Sequence, residues 1–101
     1  MGNRLDLSAI FKEILGSENV YFQPPASAKM GYPAIVYSLK NLGNTHANDS
    51  VYRQLPEYQV TVIDRDADSE IVSKVSVLPY CRFDRQYASN NLNHTVFSIH
   101  Y

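Results

Sequence analysis

The chain has 101 residues, 9 of them basic and 10 acidic, with a formal charge of −1. That length predicts one domain over residues 1–101, and 45% hydrophobic with 19% charged residues excludes the apolar-poor, highly charged composition of a disordered chain. A lone cysteine, Cys81, excludes an internal disulfide or a multi-cysteine zinc or iron–sulfur site, and near-neutrality argues against a dedicated nucleic-acid binder.

Asp6 and Glu13 interrupt any signal-peptide pattern at the N-terminus, and no run approaches the ~20 apolar residues of a membrane span. The expectation is a soluble protein that stays inside the cell, without membrane contact. Leu7, Ile10, Phe11 and Ile14 recur at helical spacing and form one apolar stripe, which predicts an amphipathic helix over about 4–15. Asp6 suits the positive end of its dipole and Gly16 is its natural stop.

Val20-Tyr21-Phe22-Gln23 reads as a short strand, released by Pro24-Pro25 because proline cannot donate to a ladder. A small-residue connector over 26–32 leads to Pro33 and the strong strand Ala34–Leu39, whose near-continuous apolar run predicts a central position. Residues 40–50 are polar and turn-rich and predict a long exposed loop, a class of segment that is commonly functional. The next strand runs from about Val51 to Ile63, with a break at Leu55-Pro56; Tyr58, Val60 and Val62 alternate with Gln59 and Thr61. The two strands together predict a long hairpin with a protruding tip.

Ile71, Val75 and Leu78 share a helical face, acidic residues crowd its start and Pro79 follows, so 69–78 is assigned to a helix despite its β-branched valines. Cys81–Tyr87 alternates, 88–93 turns and His94–Tyr101 alternates again, which predicts a second hairpin. The order α-β-β-β-α-β-β predicts an α+β fold, a mostly antiparallel sheet with both helices packed on it.

Chemistry-bearing motifs are weak. Asp64, Asp66 and Asp68 have the spacing that opens a calcium loop, but Ser69 and Val75 stand where glycine and a bidentate glutamate are needed. The alternative is a strand-to-helix turn with Asp68 as N-cap. His46, His94 and His100 form no helical ligand pair, and no phosphate-binding glycine loop occurs. No cofactor or metal is expected and no enzymatic activity is predicted. A Cys81–histidine dyad is the one nucleophilic arrangement left open; the alternative for Cys81 is a small, half-buried strand residue. The 8 tyrosines, against 4 phenylalanines and no tryptophan, suit both half-buried strands and subunit interfaces.

Several stretches, with the length and element order, resemble small head–tail joining proteins of long-tailed bacteriophages. These are Asn19-Val20-Tyr21-Phe22-Gln23-Pro24-Pro25, Tyr32-Pro33-Ala34-Ile35-Val36-Tyr37, Tyr58-Gln59-Val60-Thr61-Val62-Ile63-Asp64 and Asn91-Leu92-Asn93-His94. Within that group the chain is most similar to the tail terminators, also called tail completion or minor capsid proteins. The resemblance implies a structural virion protein that self-associates into a ring, usually a hexamer. Such a ring caps the tail tube built by the major tail tube protein, and joins it to the head connector or head-closure protein. It implies assembly in the host cytoplasm and residence at the head–tail junction, with DNA passing through without sequence recognition. The loop residues Lys40, Asn41, Asn44, His46, Asn48 and Asp49 are candidates for the subunit or tube interface. Arg53, Arg82 and Arg85, with Lys40, are candidates for the channel; solvated surface charge is the plain alternative for each. A head-closure protein of the same neck, an adaptor or inhibitor module from a mobile element using its sheet edge, and a small cysteine enzyme are the competing readings.

Overall fold

The computed structural model describes residues 4–24, 31–41, 56–66 and 69–101. Its elements are α1 (Arg4–Leu15), β1 (Val20–Phe22), β2 (Ala34–Asn41), β3 (Glu57–Asp64), α2 (Glu70–Ser76), β4 (Cys81–Ser89) and β5 (Leu92–His100). Two helices and a mostly antiparallel five-stranded sheet make this the α+β fold expected from the residue pattern.

The apolar stripe of α1 works as its spacing requires. Leu7 and Phe11 are buried and Ile10 and Ile14 half-buried, and full burial of a side chain of this size contributes about 1.5–3 kcal/mol. The helix stops at Gly16, whose φ of +75° is left-handed and whose N–H closes on the Lys12 carbonyl at 2.8 Å. The Tyr37 hydroxyl donates to the Arg4 carbonyl at 3.2 Å and is hydrogen-bonded to Ser8 Oγ, fixing the first turn of α1 over the sheet. The Arg4 guanidinium lies 4.5 Å from the centre of the Phe22 ring and ties the same turn to β1.

Strand order is β1-β2-β3-β5-β4. β1 is parallel to β2, pairing Val20 with Ile35 and Phe22 with Tyr37, and the remaining pairs are antiparallel. β2 is thus an internal strand, while the centre of the sheet belongs to β3. Side chains alternate across the sheet. Ile35, Tyr37, Tyr58, Val60, Val62, Phe97 and Ile99 face the helices and form the core with Leu7, Phe11 and Val75. Tyr37 sits at its middle, with Phe22, Phe11 and Tyr58 at ring-centre distances of 5.0, 5.3 and 5.8 Å. The opposite face carries Ala34, Ile63, Val96 and Ser98, all buried as well.

Three boundaries differ from the sequence expectation. β2 runs on through Lys40 and Asn41, because Asn41 still pairs with Glu57 across an irregularity after Leu39; these two residues belong to the strand and not to a loop. The tip of the β2–β3 hairpin and the stretch 51–55 lie outside the described residues. α2 is capped by Ser69, whose Oγ accepts from the Ile71 N–H at 3.1 Å, in place of the expected Asp68. The turn expected over 88–93 contracts to Asn90 and Asn91 at φ 54° and 63°, since asparagine tolerates the left-handed region and such a two-residue turn matches the twist of the strands. Ala88, Ser89, Leu92 and Asn93 are therefore ladder residues.

Candidate assembly interface

β4 forms one edge of the sheet, and from Arg82 to Ser89 every residue is exposed. Its pairing with β5 slips between Phe83, opposite Phe97, and Arg85, opposite Val96, so Asp84 is an extra, bulged residue. On an unbroken strand, residues three apart point to opposite faces. The bulge cancels that alternation, and Arg82 (opposite Ser98) and Arg85 (opposite Val96) share the face away from the helices. Arg85 Nη1 is paired with Asp84 Oδ2 at 2.9 Å, and its guanidinium lies 5.9 Å from the Tyr87 ring centre. Tyr87 in turn stacks on His94, with 4.8 Å between ring centres and 9° between planes.

The helix-side flank of this edge is apolar. Phe83, on that side, meets Phe97 edge-on at 6.0 Å and is 57% exposed, and Val77 at the end of α2 and Tyr80 just before β4 are 79% and 56% exposed. Phe83 was legible as an alternating strand residue, but its exposure was not: it follows from β4 ending up at the edge. Val77 caps the short α2 and Tyr80 occupies a left-handed turn at φ 58°, and no pattern in the residues announces either as surface.

At the start of β4 a cavity of about 190 Å³ is lined by Tyr80, Cys81, Arg82, Ser98 and His100. Cys81 and a histidine thus do come to one place. Burial, however, pushes the Cys81 thiol up from its ordinary 9.0 to about 11, so near neutral pH it stays protonated and is a poor nucleophile. Beside the cavity, Glu57 holds Lys40 Nζ at 3.8 Å and His100 Nε2 at 4.0 Å.

The predicted site residues divide accordingly. Lys40 and Asn41 stand at the end of β2, Lys40 engaged with Glu57; Arg82 and Arg85 stand together on β4; Asn44, His46, Asn48, Asp49 and Arg53 lie outside the described residues. Asp64 Oδ1 accepts from the Asp66 N–H at 3.1 Å, a local turn, and no group of three or more metal-ligating side chains occurs among the described residues. No described helix is long and apolar enough to cross a membrane. Comparison of the chain with protein-family models, with curated proteins and with solved structures gives no match.

Proposed function

We propose that this protein is a structural part of a long-tailed phage virion: a tail terminator that forms a ring, usually of six copies, on the end of the tail tube and joins it to the head connector. The observation that carries the reading is the exposed edge formed by β4. Exposed Val77, Tyr80 and Phe83 give it an apolar part, with Phe83 on the helix side, and the charged pair Asp84–Arg85 follows along the strand, with Arg85 on the other face. Ring closure needs one patch of a subunit to meet a different patch of the next, and such an edge supplies one of the two. The order α-β-β-β-α-β-β, shared with the proteins the sequence resembles, supports it further. In this reading Arg82 and Arg85, on one face of the sheet, are the candidates for lining the DNA path, where net charge is immaterial because no sequence is read.

The test is to mix the purified chain with tail tubes assembled from the major tail tube protein of the same phage. The expected outcome is a six-fold ring on one tube end and arrest of tube growth, seen by electron microscopy. Tubes that elongate unhindered and carry no cap refute the proposal. Binding to the head connector without binding to tubes moves the protein one ring higher, to head closure.

A further inference from the structure

The bulge at Asp84 divides β4 into two unlike halves. The first carries Arg82, Asp84 and the bulge itself, devices that keep foreign strands off an edge. The second, Arg85–Ser89, pairs regularly with β5: Arg85 with Val96, Gln86 with Thr95, Tyr87 with His94, Ala88 with Asn93 and Ser89 with Leu92. The two-residue turn at Asn90–Asn91 sets the phase of this ladder. Ser89 and Leu92, which flank it, exchange both of their backbone hydrogen bonds, and alternation then turns the backbone groups of Tyr87 and Arg85 inward as well. Gln86 and Ala88 are left with N–H and C=O directed away from the sheet, on exposed residues free of any bulge.

We propose that Arg85–Ser89 is a self-pairing site, occupied by the same segment of a second copy of this chain, antiparallel, about a two-fold axis at Tyr87. The match is internal to the segment. Gln86 and Ala88 lie one on each side of Tyr87, so the two-fold sets each against the other in the second copy, and each such pair exchanges both of its hydrogen bonds. Arg85 falls opposite Ser89, so no like charges meet. Tyr87 falls opposite its own counterpart in a pair without mutual hydrogen bonds, where side chains approach most closely. Its ring is already held by the stack on His94 and by Arg85, so little side-chain freedom is lost on association. The other end of the sheet fits less well: β1 spans three residues, Val20–Phe22, too few to match the segment. The contact is isologous, unlike the heterologous contacts of a ring, so the inference goes beyond the ring reading and does not depend on it.

Sedimentation velocity of the full chain from about 1 to 200 μM, a range that brackets the micromolar affinities of weak interfaces, tests the proposal. The expected result is a shift to twice the monomer mass with rising concentration. Gln86→Pro removes one outward N–H and returns the chain to monomer with unchanged circular dichroism. Tyr87→Cys, oxidised in dilute solution, gives a disulfide-linked dimer, because opposed residues of such a pair have Cα atoms about 4.5 Å apart, within disulfide reach. Should Gln86→Pro fail to fold, the cross-link decides. A chain that stays monomeric throughout, or a dimer that does not cross-link through position 87, overturns the proposal. Tube capping by a variant unable to dimerise leaves the ring reading standing, and failure of capping by a chain that dimerises through position 87 removes only that reading.

Discussion

Tyr37→Phe probes a polar tie between α1 and the sheet. The substitution keeps the ring that packs on Phe11, Phe22 and Tyr58 and deletes only the hydroxyl, which donates to the Arg4 carbonyl and is bonded to Ser8 Oγ. Arg4 is exposed and Ser8 half-buried, so water can reach the groups left behind. The cost is therefore that of a net hydrogen bond, about 1 kcal/mol, and not the about 1–3 kcal/mol of an orphaned buried group. For a domain of this size that lowers Tm by about 4–8 °C. Urea unfolding of Tyr37→Phe, Ser8→Ala and the double variant forms a cycle in which the double variant should lose about 0.5–1 kcal/mol less than the two single losses added. Strict additivity, or a Tyr37→Phe protein as stable as the parent, refutes the assigned role of the hydroxyl.

Gly16→Ala should cost about 1–2 kcal/mol, read as a lower thermal midpoint, purely from forcing a side chain into the left-handed region. A Cβ there meets nothing within 4 Å, so a larger loss would mean that steric crowding had been misjudged. At pH 8, alkylation of Cys81 should run about 100-fold slower than that of the unfolded chain, because burial raises the thiol from 9.0 to about 11 and each unit is a tenfold loss of thiolate. The same shift is a stability term with a definite sign. It is fully present below about pH 9, where both states are protonated, and falls away as pH rises towards 11, where the unfolded chain ionises first. A thiol that reacts at neutral pH as fast as in the unfolded chain contradicts this burial.

The residue pattern announced α1 with its Gly16 stop, the strand run after Pro33, α2 and both hairpins, because each rests on local periods and on residues with restricted backbones. Three features were out of its reach. The insertion of β5 between β3 and β4 depends on which faces bury together, which no local period encodes. The bulge at Asp84 leaves no mark in an alternation that looks regular from Cys81 to Tyr87, so the common face of Arg82 and Arg85 could not be read from their spacing. The exposure of Tyr87 likewise follows from strand position, since its alternating run does not say which strand ends at the edge. The partner of Lys40 could not be foreseen either: Glu57 is 17 positions away and becomes its neighbour only through the β2–β3 register.

The place of β5 also sets the order in which the fold can form. β3 and β4 are consecutive strands, yet they are not neighbours; a slot one strand wide separates them until β5 fills it. Before that, the core rows that join Val60 to Phe97 and Tyr58 to Ile99 do not exist, and β4 has nothing in the sheet to pair with. The β4–β5 hairpin can close early around its tight turn, but its docking against β3 is a long-range step that must meet the entropy of the intervening chain. Substitutions at Val60 or Phe97 should accordingly weigh on the folding rate. Collapse of this chain is thus a wedge driven home rather than a sheet laid down strand by strand.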